Sequence, residues 1–267
     1  MSLSPLIDRY DQLIVDLDGC VWVGDEAVDG SVEAIERLRG AGKRVAFATN
    51  NSRSTGEDYV RKLWGLGIQA SLGDVVTVGG AMQHLLAETR QGMTAFVIGT
   101  DAMVNHVADA GLKVMNNTDL ATRVDLVVVS GTEEVTFADI RTATLALRRG
   151  ADFLATSRDP TYPMPDGLWP GTGAVLAAVE TAAGREAAIV GKPEPQLFLT
   201  AIERLGDGRT LVVGDRLASD VEAAKRAKLD AALVLTGDTT ADEAAAAKDP
   251  KPVAIADSLL ALVSSPG

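Results

Sequence analysis

Short apolar runs alternate with amphipathic stretches along the chain, the pattern of a parallel sheet covered by helices. Residues 13–16 read as a strand, and residues 31–39 as a helix with Val32, Ile35 and Leu38 on one face and Ser31 as N-cap. Residues 44–48 form a second strand that ends on Thr49-Asn50-Asn51-Ser52. A helix over 55–64, a short strand over 75–78 and a helix over 81–88 follow.

A second unit with the same alternation runs from about 95 to 186. Its strands fall at 95–98, 126–129 and 153–155, and its helices at 102–110, 137–148 and 173–181. Residues 157–173 form a Pro- and Gly-rich loop carrying Tyr162 and Trp169. A patternless loop of that length more often serves function than connection. The first pattern then resumes, with a strand over 188–190, a helix over 196–205, a strand over 211–213, a helix over 221–228 and a strand over 231–235. The Ala- and acid-rich stretch 242–248 reads as a surface helix or loop. No fixed-period repeat is present. The layout predicts an α/β sheet domain over 1–88 and 187–267, interrupted by a second α/β domain over 89–186.

The 267 residues are 46% hydrophobic, enough for one large core or two modest ones. A formal net charge of -12 argues against non-specific binding to nucleic acid or an anionic membrane. An enzyme this acidic that handles anions must gather its cations locally. The single cysteine, Cys20, excludes an internal disulfide and fits a reducing compartment. It reads as a small buried apolar side chain rather than a nucleophile, because the two histidines, His84 and His106, both fall in helical stretches. No apolar run reaches transmembrane length and the acidic N-terminal stretch does not resemble a secretory leader, so a cytoplasmic location is expected.

Chemistry concentrates at four strand ends. The first strand runs into Asp16-Leu17-Asp18-Gly19. Leu17 can enter the core while Asp16 and Asp18 share the other face, and Gly19 lets the backbone turn away. One carboxylate can attack and the other can move a proton, provided a cation offsets their repulsion. The second strand end offers Thr49 and Asn50, neutral donors for phosphoryl oxygens; the third offers Lys192, a point charge suited to phosphate. The fourth, Gly214-Asp215-Arg216-Leu217-Ala218-Ser219-Asp220, offers hard oxygen ligands for Mg²⁺. Each has a bland alternative: Asp18 capping a turn, Thr49 capping a helix, Lys192 solvated, Asp220 a helix N-terminal charge. Parallel strands deliver all four to one sheet edge, where open α/β sheets bind ligands.

Together these loops resemble the signature motifs of the haloacid dehalogenase (HAD) superfamily, over nearly the whole chain. Thr49-Asn50-Asn51-Ser52-Arg53 and Gly191-Lys192-Pro193 resemble the subfamily of the nucleotide phosphatase of the N-acetylglucosamine operon and of 4-nitrophenyl, phosphoglycolate and pyridoxal phosphate phosphatases. The resemblance implies a Rossmann-like doubly wound core with an α/β cap inserted between its second and third motifs. Arg158-Asp159-Pro160, Asp166-Gly167 and Pro170-Gly171-Thr172-Gly173 are most similar to the pyridoxal phosphate and phosphoglycolate members. Tyr162 stands where the pyridoxal phosphate members carry a ring-contacting histidine, which weakens the case for that substrate.

By this resemblance Asp16 is the nucleophile and Asp18 the general acid and base. Mg²⁺ is held by Asp16, the backbone carbonyl of Asp18, and Asp215, with Ser219 and Asp220 orienting these ligands. Thr49, Asn50, Asn51 and Lys192 bind phosphoryl oxygens, and Tyr162 is a candidate substrate contact from the cap. Arg158 and Trp169 read either as substrate contacts or as cap packing. The expected reaction is Mg²⁺-dependent hydrolysis of a small phosphomonoester through an aspartyl phosphate. Candidate substrates are phosphoglycolate, glycerol phosphate, pyridoxal phosphate, nucleoside monophosphates and 4-nitrophenyl phosphate. The alternatives are a non-catalytic binder of phosphorylated metabolites and a transferase to another alcohol. Pairing of two copies through the cap is a further expectation from the resemblance.

Overall fold

The computed structural model describes residues 3–265. Six parallel strands form the larger sheet, in the order Ala254–Ala256, Asp230–Val234, Thr210–Gly214, Gln12–Val15, Arg44–Thr49 and Val75–Thr77. The chain starts in the middle, builds outward on one side, and returns to build on the other. The strand order therefore reverses beside Gln12–Val15, and the carboxyl ends flanking that point form the ligand crevice of such sheets.

Both faces of this sheet are covered, so its strands are apolar at successive positions rather than alternating. Leu13, Val15, Val45, Phe47, Leu211 and Val213 pack one way, against Ile35 and Leu38 of helix Ser31–Gly40, Leu63 of Gly56–Gly65, and Leu259 and Val263 of Leu259–Val263. Ile14, Ala46, Ala48 and Val212 pack the other way, against Leu197 and Phe198 of Gln196–Leu205 and Ala223 and Ala224 of Glu222–Arg226.

A second, five-stranded parallel sheet runs Ala188–Ile189, Asp152–Ala155, Leu126–Val129, Thr94–Ile98 and Lys113–Val114. Helices Phe137–Arg148 and Thr172–Ala183 bury Leu147, Leu176 and Val179 on one face; Val78–Thr89 and Asp101–Asp109 bury Met82, Leu86, Met103 and Val107 on the other. Helix Val78–Thr89 joins the units, because Val78 packs under the first sheet while Met82 and Leu86 pack under the second.

Several local expectations are corrected. Ser31 is the first residue of its helix and not its cap: Gly30 takes the cap position at φ +75°, and the buried Ser31 hydroxyl donates to the Val21 carbonyl. The strand expected over 75–78 ends at Thr77, whose hydroxyl caps a helix that begins at once with Val78. Ala188–Ile189, expected to return the chain to the first sheet, pairs with Asp152–Ala155 of the second, just beyond the expected boundary at 186. The loop over 157–173 contains an antiparallel hairpin, Thr161–Met164 with Gly167–Pro170. Edge strand Ala254–Ala256 and helix Leu259–Val263 were not legible in the pattern because both are short. His84 and His106 lie in helices as expected, and among the described residues no helix is long and apolar enough to cross a membrane.

Candidate active site

The carboxyl end of strand Gln12–Val15 is the centre of the site. The Asp16 N–H still donates to the Val213 carbonyl at 2.8 Å, so Asp16 is held by the sheet. Leu17 turns fully into the core, and its carbonyl accepts the N–H groups of Val21 and Trp22. Gly19 adopts φ +83°, and a Cβ there would lie 2.6 Å from an Asp215 carboxylate oxygen. Glycine is needed for both the turn and the close approach. The loop so formed presents Asp16 and Asp18 to one cleft that Thr49, Lys192 and Asp215 also line.

Lys192 organises the charge. Its ammonium is buried, 2.8 Å from Asp16 Oδ1 and 2.7 Å from Asp220 Oδ1. Burial alone would lower this ammonium, but the Asp16 and Asp220 carboxylates override it and push its pKa up, so Lys192 is charged. Asp220 reaches it from a π-helical turn, Leu217–Val221, which precedes helix Glu222–Arg226 in place of the expected plain helix start. The Asp220 carboxylate also accepts the Arg216 N–H at 3.2 Å. Asp220 is thus a member of the charge cluster itself.

Oxygens of Asp16, Asp215 and Asp220 lie within 4.8 Å of one another. Burial raises Asp16 well above the usual carboxylate range, against the pull of Lys192. Burial, then the neighbouring Asp220 charge, push Asp215 up to about 7. Three buried carboxylates share one ammonium, and their mutual repulsion, which adds to burial in raising Asp16 and Asp215, is what a divalent cation with hard oxygen preference would relieve. The donors present fit Mg²⁺. The Asp238 N–H donates to Asp215 Oδ2 at 2.8 Å, holding that carboxylate in place.

Asp18 is partly buried and is touched by donors from three directions: the Trp22 indole N–H at 3.1 Å, the Asn51 amide at 3.3 Å and the Thr49 hydroxyl at 3.4 Å. Thr49 does not cap the following helix, which Thr55 caps. Its hydroxyl accepts the Asn51 N–H at 2.9 Å and lines the cleft. The Asn50 side chain is committed to bracing: it accepts the Lys192 N–H at 2.7 Å and donates to the Lys192 carbonyl and to Asp159, each at 2.9 Å. Ser219 lines the cleft wall, 3% exposed, next to the buried Asp220. Cys20 is fully buried and burial pushes its thiol up, the state of an inert core residue.

The hairpin of the second unit closes the cleft. Tyr162 lines it, but its ring is already in use: the Arg53 guanidinium lies 3.8 Å over the ring centroid, and its hydroxyl donates to Glu133 at 3.1 Å. Arg53 itself lines the cleft, with a buried Nε that has no hydrogen-bond partner among the described residues. Sequence reasoning passed over Arg53, although it stands inside the quoted motif; an arginine beside a phosphate loop in so acidic a chain was the available signal. Arg216 is the second omission. It donates to the Thr161 carbonyl at 2.7 Å and pairs with Asp238 at 3.2 Å and Asp159 at 3.9 Å, tying the Asp215 loop to the hairpin. Arg158 is not in the cleft: it pairs with Glu180 at 2.8 Å and with the Ala187 carbonyl, stabilising the second unit. Trp169 packs its edge on Tyr162 and donates to Asp166 outside the cleft lining.

Known proteins resemble this chain in sequence and in fold. The profile of the haloacid dehalogenase-like hydrolases matches residues 13–113, and an HAD-hydrolase-like profile matches residues 189–262. The chain is 37% identical over 244 residues to the D-glycerol 3-phosphate phosphatase of Mycobacterium tuberculosis, covering 91% of this chain and 67% of that one. It is 34% identical over 237 residues to the acid sugar phosphatase of Staphylococcus saprophyticus, covering 88% and 90%. The crystal structure of the Mycobacterium tuberculosis glycerol phosphate phosphatase in complex with magnesium superposes with a TM-score of 0.85 at 36% identity, over 97% of this chain and 78% of that one. The chain therefore belongs to the haloacid dehalogenase-like hydrolases.

Proposed function

We propose that this chain is a Mg²⁺-dependent phosphatase that hydrolyses the phosphomonoester of a small hydroxylated alcohol, through a phosphorylated Asp16. The observation that carries this reading is the Asp16 carboxylate, sheet-anchored, 2.8 Å from a buried ammonium, in an oxygen cluster that opens on the cleft. The Asp16 carboxylate and Asp215 would hold the cation, together with the Asp18 carbonyl. When bound, Mg²⁺ lets a carboxylate approach an anionic phosphate and stabilises charge on the phosphoryl oxygens.

The chain's own groups then divide the work. Asp16 attacks phosphorus along the line of the ester bond, forming an acyl phosphate as the P–O bond to the alcohol breaks. Asp18 gives its proton to the departing alkoxide oxygen. Asp18, now a carboxylate, takes a proton from the water that attacks the acyl phosphate, releasing inorganic phosphate and restoring Asp16. Lys192 and Thr49 stabilise the equatorial oxygens, while Asn50 fixes the loop that carries Lys192. The five-stranded unit acts as a cap, its hairpin excluding bulk water during the first step.

Two features favour a small hydroxylated leaving group over an aromatic one. One face of Tyr162 is covered by Arg53, and its hydroxyl is taken by Glu133. The cleft wall carries the small hydroxyl residues Ser157 and Thr172, while the Ser52 and Thr161 hydroxyls that also line it are bonded to Ser130 and Asp238. A relative named for D-glycerol 3-phosphate is consistent with such a substrate. The test compares glycerol phosphate, phosphoglycolate, pyridoxal phosphate and 4-nitrophenyl phosphate by kcat/KM, in the native chain and in Asp16→Asn. Glycerol phosphate should exceed pyridoxal phosphate, and Asp16→Asn should abolish all Mg²⁺-dependent phosphate release. Turnover by Asp16→Asn at saturating metal would remove the proposed nucleophile, and ester binding without turnover by the native chain would favour a binding protein.

A further inference from the structure

A second, open concavity lies near the opposite edge of the larger sheet and shares no lining residue with the catalytic cleft. Arg39, Lys43, Arg44 and Arg204 line it, together with Trp64 and a single carboxylate, Asp74. Four cations against one acid is the reverse of the chain's balance, which is 37 acidic residues against 25 basic. Asp74 is moreover committed to its own turn, accepting the Ser71 N–H and hydroxyl.

The four cations are also unusual in their partners. Among the described residues none forms an ion pair; each donates to backbone carbonyls only. Arg39 donates to Gln69, Lys43 to Tyr10, Arg44 to Asp207, and Arg204 to Leu72 and Val75. Arg39 and Arg204 sit at or near helix C-termini, where a cation is favoured, but that accounts for only two of the four. Each guanidinium uses one nitrogen for these bonds, leaving further N–H donors for a ligand. Trp64 lies beside them, 60% exposed although apolar, with its indole N–H fixed on the Ala70 carbonyl at 2.7 Å. An oriented, exposed indole beside uncompensated cations matches an aromatic ring that carries several negative charges.

We propose that this groove binds a nucleoside triphosphate, the phosphates on the arginines and the base on Trp64. The groove is remote from the chemistry: Arg44 begins the strand whose other end carries Thr49, about 17 Å away along an extended chain. Arg44 and Arg204 are exposed and line no part of the catalytic cleft, so they are suitable to replace.

The test is calorimetric titration of the full chain with ATP, tripolyphosphate and adenosine in metal-free buffer. ATP should bind more tightly than either fragment. Arg44→Gln with Arg204→Gln should weaken ATP by about tenfold or more, the loss expected for charge-assisted hydrogen bonds. Trp64→Leu should weaken ATP and leave tripolyphosphate unchanged. Arg61→Gln, an exposed arginine paired with Asp58 outside the groove, should change nothing. Without ATP, kcat/KM for 4-nitrophenyl phosphate should be native in all these variants. Absence of ATP binding overturns the proposal. So does ATP binding that survives the double substitution and is displaced by inorganic phosphate, which would place ATP in the catalytic cleft. Equal affinity for ATP and tripolyphosphate, indifferent to Trp64→Leu, would overturn the nucleotide assignment.

Discussion

Lys192 is the residue on which the site depends most. It is the ammonium that offsets Asp16 and Asp220, and it is fully enclosed with them. Removing one member of a buried ionic group leaves the others uncompensated, which costs more than the group's net contribution to folding. Lys192→Met should therefore abolish turnover and also lower metal-free stability by about 3–5 kcal/mol in urea unfolding. Adding Asp220→Asn should restore part of that stability and none of the activity. Asp215 gives a second prediction. Its folded pKa, about 7, lies above its unfolded value, so between those two values the native state holds a proton that the unfolded state has lost. The contribution of Asp215 to stability therefore falls as pH rises toward 7 and improves on acidification. Metal-free protein should melt higher at pH 6 than at pH 8, and Mg²⁺ should raise Tm more at pH 8, where the site needs no deprotonation. In Asp215→Asn both differences should shrink; if they persist in full, another group carries them.

At the scale of elements, the helix Gly56–Gly65 shows how a scaffold supports the site without touching substrate. Thr55 and Asp58 form a reciprocal cap at its start, and the Tyr59 hydroxyl donates to the Asn51 carbonyl at 2.8 Å. Thr55→Ala should lower stability by about 1 kcal/mol while leaving kcat within twofold or so. Tyr59→Phe should do the reverse, shifting kcat more than stability expects, because it frees the loop that carries Asn51. The regular strands and helices were legible because hydrophobic period and length are local signals, as for the runs 44–48, 126–129 and 137–148. Asp16, Asp18, Thr49 and Asp215 were legible because strand ends converge in a parallel sheet, whereas Lys192 lines the same cleft but arrives from Ala188–Ile189 of the second sheet, which corrects the expectation that a single sheet edge delivers all four groups. Elements set by tertiary contact were not. The hairpin of Thr161–Met164 and Gly167–Pro170 contains two prolines and no alternating pattern, and is held by Thr161 on Asp238 and by Arg53 on Tyr162. The π turn at Leu217–Val221 likewise presents Asp220 to a partner 28 residues away, Lys192, which no local pattern records. Ser31 was misread for the same reason: its hydroxyl answers to a distant loop carbonyl rather than to its own helix.

At the scale of the whole molecule, the two units meet through a polar latch as well as through the shared helix. Arg216 joins the loop of Asp215 to Thr161 and Asp159 of the second unit, Asp238 of its own unit bonds Thr161 as well, and Asn50 joins the Lys192 loop to the same Asp159. The residues that order the charge centre thus also hold the hairpin over it. Such an arrangement couples closure of the cleft to the completeness of its floor, since an Asp215 loop out of position would release Thr161 as well. Arg216→Gln removes the guanidinium and leaves the Arg216 N–H to Asp220 intact, because that bond is made by the backbone. The expected result is a cleft that spends more time open. KM should rise by about tenfold, as a closed state of lower population weakens apparent binding in proportion, with a smaller fall in kcat. Asp159→Asn should raise KM in the same direction but less, because the Thr161 carbonyl still accepts from the Arg216 guanidinium. Proteolysis within 161–170 should accelerate in Arg216→Gln and slow again with Mg²⁺ and orthovanadate. A variant whose kcat collapses at unchanged KM and unchanged hairpin protection would instead place Arg216 at the chemical step, and the latch would not govern closure.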